Sequence, residues 1–298
     1  MTATLTRSSH PARRRLRAPL ALAAAVAVAL GVTACSDEED PFAKVDTSQP
    51  RTTLSSGNVP TDAPTAVPAS GPKVAGDVLA RRITAAATAK RTVAFDVLAT
   101  GAEAVSGTGV AKGSGASSEL KIDVQISGRP LGIVKTGSTV YFRTPTPIGG
   151  KEWLKISTNP QDPLSKIYSQ AFLGLDNLAD VPRIASFVAA MGQFTEAAKE
   201  PVDGVQTTKY VAQPPPATAV RMLSGPYQSL NTEVLKAGKT TVALWVDDQG
   251  LLRRTTVVFT LRNAPPAQTL VSYKNWGQPV TVKAPPAGQV LTGPTAAP

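Results

Sequence analysis

The sequence predicts an α+β domain in which a curled antiparallel sheet of about eleven strands packs against helices. Three observations predict this class. A long helical pattern precedes the strands, a series of segments with a period of two follows it, and a stretch of helical periodicity divides the strands into two groups. A sheet with this many strands is expected to curl, and the helices are expected to cover one of its faces.

The first group of elements is one helix followed by six strands. The helix is predicted over residues 74–89, where apolar side chains recur at intervals of three and four residues. The clearest strand is 119–126, because Leu120, Ile122 and Val124 alternate with charged or polar residues, as in a sheet with one buried face and one wet face. The other strands of this group are predicted at 92–98, 107–112, 131–135, 139–143 and 152–157.

The second group begins with a helical stretch. Asp162-Pro163 combines an N-cap residue with a proline in the first turn, which predicts a helix over 162–172, and a second helix is predicted over 180–191. Five strands and two short helices complete the domain. The strands are predicted at 194–200, 205–212, 240–246, 251–261 and 269–276, and the short helices at 216–223 and 227–236.

The N-terminus is predicted to be a lipoprotein signal peptide over residues 1–34. Its basic start, which has no acidic residue, precedes an apolar run of about a dozen residues, and this run is shorter than the roughly 20 that a membrane span needs. Val32-Thr33-Ala34-Cys35 resembles the lipobox of bacterial lipoproteins, which implies that Cys35 is lipidated and anchors the protein to a membrane. The alternatives are an ordinary signal peptide with an incidental cysteine and a loose N-terminal membrane helix.

The remainder of the chain divides into three parts. Residues 35–72 are predicted to be the lipidated cysteine and a disordered tether, because they are rich in Ser, Thr, Pro and acidic residues and poor in large apolar ones. Residues 73–286 are the predicted globular domain, and 287–298 are a predicted disordered C-terminal tail. The loss of residues 1–34 removes five arginines and no acidic residue, so the net charge falls from +10 to +5.

The composition argues against an enzyme. His10 is the only histidine and Cys35 the only cysteine; the first leaves with the signal peptide and the second is taken by the lipid. The mature chain is therefore expected to lack a Ser-His-Asp triad, a Cys-His dyad, a zinc site of the usual ligands and a disulfide framework. The sequence also shows no glycine-rich phosphate loop and no GxSxG elbow, so we expect no catalytic residue, metal or cofactor. An exported, anchored protein is not expected to bind nucleic acid.

Three stretches of the domain resemble a known family. They read VDGVQTTKY at 202–210, LWVDDQGL at 244–251 with Arg253-Arg254 close behind, and YKNWGQPV at 273–280 followed by APP at 284–286. Together with the lipobox, the tether and the leading helix, they are similar to the actinobacterial lipoproteins of the LppX/LprAFG type, which share the LolA-like fold. The resemblance implies a half-open β-barrel whose apolar cavity holds acyl chains, a lipid anchor on the extracytoplasmic face of the cell membrane, and a role in carrying lipids or glycolipids such as lipoglycans.

The candidate ligand-binding residues are apolar side chains of the sheet and helices. These side chains either line a lipid cavity or form a filled core. In the second case the protein is a non-enzymatic sensor or scaffold that binds another envelope protein through an exposed sheet edge. The candidates are Leu120, Ile122, Val124, Val140, Phe142, Phe172, Phe187, Leu244 and Val246.

Basic residues of the domain are the candidates for contact with anionic lipid head groups, and a solvated basic surface is the alternative. Asp247-Asp248 is predicted to form a turn rather than a cation site. The three tryptophans, Trp153, Trp245 and Trp276, are predicted to be packing anchors. The basic candidates are Arg253, Arg254, Lys166, Lys199, Lys209, Lys236 and Lys239.

Overall fold

The computed structural model describes residues 70–101, 104–114, 117–157, 180–214, 218, 238–260 and 266–292. These residues form two α-helices, one 3₁₀-helix and thirteen strands, and all of them belong to one compact unit, Asn58–Pro298. The helices are α1 (Gly76–Lys90), α2 (Val181–Ala190) and the 3₁₀-helix Ala287–Gln289. The strands are β1 (Lys73–Ala75), β2 (Thr92–Thr100), β3 (Val105–Lys112), β4 (Glu119–Ile126), β5 (Arg129–Thr136), β6 (Thr139–Ile148), β7 (Lys151–Ser157), β8 (Gln193–Val202), β9 (Val205–Ala212), β10 (Lys239–Asp247), β11 (Leu252–Thr260), β12 (Ala267–Lys274) and β13 (Val290–Thr292).

All thirteen strands belong to a single sheet that is curled and not closed. Its order is β1-β8-β9-β10-β11-β12-β2-β3-β4-β5-β6-β7-β13, so the two strand groups predicted from the sequence meet where β12 pairs with β2. Every pairing is antiparallel except that of β13 with β7, which is parallel. The predicted fold class, an α+β half-barrel packed on helices, is therefore confirmed.

The predicted number of strands is too low. The structure contains all eleven predicted strands and adds β1 and β13, each only three residues long. A three-residue strand is too short to show a period of two in its sequence. Its extended backbone is fixed by pairing with a neighbouring strand. In β1, Val74 lies opposite Phe194 of β8, so residues predicted to begin the helix are extended and α1 begins only at Gly76.

The C-terminal boundary also differs from the prediction. Disorder was predicted from residue 287, whereas the backbone forms the 3₁₀-helix and then β13. Val290 lies opposite Trp153 of β7, and Lys151 Nζ donates a hydrogen bond of 2.5 Å to the Gly288 carbonyl oxygen. Because these contacts are made by the backbone with a distant sheet edge, the local composition does not reveal them. The signal peptide, Cys35, the tether before residue 70 and the predicted helices over 162–172 and 227–236 lie outside the described residues.

The inner face of the sheet carries the core. On β4 the side chains of Leu120, Ile122 and Val124 are buried while the intervening ones are exposed or half-buried, which confirms the predicted alternation. Helix α1 buries Leu79 and Ile83, one turn apart, against this face. Helix α2 adds a shorter stripe to the same cluster, formed by Val181, Ile184, Ala185 and Val188.

Helix α1 is fixed to the rim of the sheet by an arginine. Arg82 Nη2 donates hydrogen bonds to the carbonyl oxygens of Asp247 (2.8 Å) and Asp248 (3.1 Å) in the turn between β10 and β11. At the start of the helix, the Gly76 amide donates to the Gly192 carbonyl, at the end of α2. The arginine thus ties α1 to the sheet, and the Gly76 amide ties it to the end of α2. No helix in the described ranges is long and apolar enough to cross a membrane.

Candidate ligand cleft

A cleft of about 250 Å³ opens at one end of the inner face. It lies where α1 ends, α2 begins and the adjoining ends of β2 and β3 meet. Its apolar floor is continuous with the core, and its rim is polar. The floor is formed by Ala87, Val93, Ala111, Val181 and Pro182, and the rest of the lining by Thr88, Arg91, Thr92, Gly113, Ser114, Ser117 and Trp276.

Arg91 holds an unusual backbone conformation at the rim. It caps the C-terminus of α1 with φ +65°, in the left-handed region that disfavours residues with a Cβ and that glycine normally occupies in this position. Its amide donates to the Ala87 carbonyl at 2.9 Å, and its carbonyl accepts from the Gly113 amide at 2.8 Å. The two bonds tie the end of α1 to the loop after β3 and place a cationic, exposed side chain at the mouth of the cleft.

Trp276 forms one wall of the cleft and is held rigidly. Its Nε1 donates to the Leu252 carbonyl at 3.0 Å, and its ring centroid lies 6.2 Å from that of Tyr273. Burial raises the pKa of the Tyr273 phenol well above its ordinary value, so that side chain stays neutral beneath the tryptophan. Trp276 is thus both a packing anchor, as predicted, and a residue whose surface faces the cleft.

One charged side chain lies among the apolar ones of the inner face. Residues directly opposite one another on paired strands point to the same side of the sheet. Lys135 of β5 lies between Leu120 of β4 and Val140 of β6, both buried on the inner face, and is itself only 7% exposed. Its Nζ donates a hydrogen bond of 2.8 Å to the Ser118 hydroxyl. Ser118 is also 7% exposed and follows Ser117, which lines the cleft.

The candidate residues named from the sequence lie deeper in the fold than the cleft. The seven on β4, β6 and β10 are all buried in one cluster on the inner face, and Phe187 of α2 packs against that cluster. None of them borders the cleft formed by the described residues, and Phe172 lies outside the described residues. Contact of these side chains with a lipid stays a prediction. The seven are Leu120, Ile122, Val124, Val140, Phe142, Leu244 and Val246.

Beside the cleft, the inner face is tightly packed. β3 has glycines at two inward positions, and neighbouring side chains occupy the space that they leave. A Cβ at Gly109 would overlap the ring of Phe95, meeting its Cε1 and Cε2 at 2.8 Å, and a Cβ at Gly107 would meet Val124 Cγ1 at 2.6 Å. Phe95 is fully buried. This part of the inner face is a filled core, and the cleft begins where that packing ends.

The basic residues predicted to meet lipid head groups do not gather at the cleft. Arg253 Nη2 lies 2.7 Å from Asp247 Oδ2, and the Asp247 side chain, 1% exposed, also accepts from the Leu251 amide at 2.8 Å. Asp247 therefore closes the turn, as predicted. On the outer face, Lys209 Nζ lies 4.8 Å and Arg254 Cζ 5.7 Å from the ring centroid of Trp245. Lys199 and Lys239 are exposed strand residues, and Lys166 and Lys236 lie outside the described residues.

A second depression, of about 360 Å³, lies on the outer face over β2, β3 and β4. It has a charged lining in which opposite charges pair. Lys274 Nζ lies 2.6 Å from Asp96 Oδ2, and Lys121 Nζ lies 3.2 Å from Asp123 Oδ2. This lining suits water better than an apolar ligand, so the cleft on the inner face is the better candidate site.

Comparison with known proteins gives structural neighbours only. No known protein family and no curated protein sequence matches the chain. The chain is similar to the crystal structure of LprF from Mycobacterium bovis, with a TM-score of 0.48 and 15% identity, over 70% of this chain and 96% of that one. It is also similar to the crystal structure of the lipoprotein LppX from Mycobacterium tuberculosis, with a TM-score of 0.45 and 15% identity, over 70% of this chain and 98% of that one.

The names of these two neighbours agree with the predicted resemblance. Both neighbours are mycobacterial lipoproteins of the type that the sequence resembles. Each TM-score lies below 0.5 and each identity is 15%, so neither likeness tells what this chain binds. The ligand class has to be inferred from the side chains around the cleft.

Sequence reasoning missed two notable cations, Arg91 at the rim of the cleft and Lys135 on the inner face. Arg91 was not distinguished from other surface arginines, because its left-handed backbone is visible only in the structure. Lys135 had a signal in the sequence: it takes the inward position after Leu131 and Ile133, where the period of two calls for an apolar residue. Ser118 had no such signal, since it precedes β4.

Proposed function

We propose that the protein is a membrane-anchored envelope lipoprotein that binds an acylated ligand, a lipid or glycolipid, in the cleft at the end of the inner face. The observation that carries this proposal is the character of the cleft: its floor is apolar and continuous with the core, and its rim carries hydroxyl groups and the guanidinium of Arg91. Ligand sites in proteins combine an apolar lining with a few polar groups that fix orientation in this way. An acyl chain enters over Ala87 and Ala111, and its polar end stays at the rim.

The size of the cleft limits what binds without rearrangement. Small-molecule sites usually have volumes of about 300–1,000 Å³. The cleft has about 250 Å³, slightly below that range. It therefore takes part of one acyl chain as it stands, and a complete lipid with several chains requires α2 to move away from α1. Val181 and Pro182, in the first turn of α2, form that side of the cleft.

The anchor defines where binding takes place. Lipidation at Cys35 would add two acyl chains, which are enough for stable attachment to a membrane. The domain then lies on the extracytoplasmic face, joined to the membrane by the tether. This arrangement suits a protein that takes lipid from the membrane surface or passes it to another component of the envelope.

A sensor or scaffold with a filled core is the second candidate function, and one observation favours it. Phe95 and Val124 fill the space over Gly109 and Gly107 so closely that this part of the inner face cannot hold a ligand. In this case the cleft is a surface feature, and the protein acts by binding another envelope protein, without carrying lipid.

The proposal is tested by filling the cleft. Ala111 lies on its floor, whereas Val110, the preceding residue of β3, points to the outer face. We expect Ala111→Phe to abolish binding of cis-parinaric acid, a fatty acid that fluoresces in apolar surroundings, and Val110→Phe to leave it intact. Both variants are made in the full chain with Cys35→Ser, so that no acyl anchor competes. Unaltered binding by an Ala111→Phe variant that unfolds cooperatively would show that the fatty acid binds elsewhere.

A further inference from the structure

The charge at the mouth of the cleft has one sign. Of the described residues that line the cleft, Arg91 alone is charged and none is acidic. The depression on the outer face differs, because its two ammonium groups and two carboxylates form pairs. That surface is therefore close to neutral, whereas the cleft carries a positive charge that no lining residue balances.

The Arg91 side chain is available to a ligand. It is exposed at the rim, and no carboxylate of the described part of the chain forms an ion pair with its guanidinium. Other cations of this region have such partners. Lys112, which precedes the loop after β3, lies 3.2 Å from Glu119. On α1, Arg81 lies 2.8 Å from Asp77. Arg91 is thus the cation at the cleft that is left for an anion from outside the chain.

The backbone around Arg91 is fixed before any ligand arrives. Its own amide and carbonyl bond to the end of α1 and to the loop after β3. The next residue, Thr92, is tied to the segment after β12. Its hydroxyl donates to the Gln278 carbonyl at 2.8 Å, and its carbonyl accepts from the Gly277 amide at 3.0 Å. Only the rotamers of the arginine side chain have to be ordered on binding, which keeps the entropic cost of binding low.

An arginine in the left-handed conformation needs a reason. Glycine adopts this conformation without strain at the ends of helices. The two hydrogen bonds that Arg91 makes here belong to its backbone, so a glycine would make them equally well. The arginine is therefore present at a cost to stability, and its contribution lies in the side chain. Residues with strained backbones are concentrated at ligand-binding and active sites.

We infer that Arg91 binds the anionic group of the acylated ligand, a carboxylate or a phosphate, at the mouth of the cleft. The inference rests on the proposed function and adds its ligand class: an anionic amphiphile, rather than a neutral one. The acyl chain lies on the apolar floor. The guanidinium donates two parallel hydrogen bonds to the oxyanion, a geometry that arginine offers to carboxylates and phosphates alike. The hydroxyl groups of Thr88 and Ser114 are further donors on the same rim.

The test uses two pairs of ligands, and each pair compares an anion with a neutral compound that has the same acyl chain. The first pair is cis-parinaric acid, ionised at the pH of the assay, and its methyl ester; both are titrated by their own fluorescence. The second pair is palmitoyl lysophosphatidylglycerol and monopalmitoylglycerol, which are measured by displacement of the methyl ester. The protein is the full chain with Cys35→Ser.

The expected preference is modest, because an exposed charge pair is weaker than a buried one. In at least one pair the anion should bind about threefold to tenfold more tightly than the neutral compound. The pair that shows this preference identifies the anion as a carboxylate or a phosphate.

Arg91→Gln removes the charge and keeps the Cβ, so the backbone strain is unchanged. We expect it to abolish the preference for the anion while the neutral ligands bind as before, and we expect Arg91→Lys, which keeps the charge, to retain part of the preference. Arg81→Gln is the matched control: it is the same substitution on the same helix, about 15 Å away along the axis, at a residue that does not line the cleft. If Arg91→Gln does not fold, Arg91→Asn, which tolerates the left-handed conformation, carries the same expectation.

The outcomes separate the inference from the proposed function. Equal affinity of the unaltered chain for both members of each pair, or an anion preference that survives Arg91→Gln, would overturn the role of Arg91 and leave the cleft as a lipid site. Loss of the preference in Arg81→Gln would also overturn it, because the preference would then come from the general charge of the surface. Failure of all four ligands to bind would instead argue against the proposed function itself.

Discussion

Gly109 offers a direct test of how full the inner face is. It lies on β3 opposite Phe95, and an added Cβ would overlap the phenyl ring. The ring is fully buried, so it can shift away from an added methyl group only if there is empty space next to it on the inner face. Gly109→Ala therefore distinguishes a packed core from a cavity at this point of the sheet.

The magnitude follows from two opposing contributions. Overpacking of a filled core costs about 1–3 kcal/mol, because the ring or the strand has to shift. Replacing glycine by alanine in a strand stabilises the fold by about 0.5–1 kcal/mol, because alanine lowers the conformational entropy of the unfolded chain. We expect Gly109→Ala to lower the free energy of unfolding by about 1–2 kcal/mol. For a domain of this size, this corresponds to a fall in Tm of about 2–8 °C.

The assay is urea denaturation of the full chain, followed by tryptophan fluorescence. Gly288→Ala is the control, because a Cβ at Gly288 meets no atom within 4 Å and its φ is not in the left-handed region. It should change the free energy of unfolding by less than about 0.5 kcal/mol. Phe95→Leu combined with Gly109→Ala should destabilise less than the sum of the two single changes, since the smaller side chain removes the overlap. A Gly109→Ala variant as stable as the unaltered chain would refute the filled-core account of this region.

Two further predictions concern the cleft rim and the turn that holds α1. Arg91→Gly should raise the free energy of unfolding by about 0.5–1 kcal/mol, because glycine adopts the left-handed backbone conformation without strain. The same change should weaken binding of palmitate, because the cation at the rim is lost. Urea denaturation and probe displacement measure the two effects, and a loss of stability would show that the backbone at Arg91 is not strained. Asp247→Asn should lower the free energy of unfolding by about 2–4 kcal/mol, because Arg253 loses the carboxylate that pairs with it, and a change below about 0.5 kcal/mol in urea denaturation would show that the turn does not depend on the charge.

Most of the strand pattern could be predicted from the sequence, because sheet periodicity is a local signal. β4 and β9 have the predicted bounds, 119–126 and 205–212. Asp203 and Gly204, which join β8 to β9, both have positive φ, as a two-residue hairpin turn requires. The two edge strands could not be predicted, since three residues carry no periodicity and their pairing partners are distant in the sequence.

The candidate site was predictable only in part. The alternation of side chains identified the inner face, on which Ile122 and Leu244 are buried. The cleft itself depends on how two helix ends approach β2 and β3, which no local pattern encodes. Of the two cations that sequence reasoning missed, Lys135 breaks the apolar alternation of β5 and could have been noticed. Arg91 became distinctive only through its backbone conformation and its two hydrogen bonds.

The measurement that tests the central claim most directly is mass spectrometry of the lipoprotein purified from an actinobacterial host. The protein is measured once under native conditions and once denatured. A covalent anchor on Cys35 would contribute equally to both masses, so the difference is the mass of the ligand held without a covalent bond. The account predicts a difference that solvent extraction resolves into an acylated lipid or glycolipid, and its loss in Ala111→Phe but not in Val110→Phe. Identical native and denatured masses, even after incubation of the folded protein with lipids of the cell envelope, would contradict lipid binding and favour the sensor or scaffold.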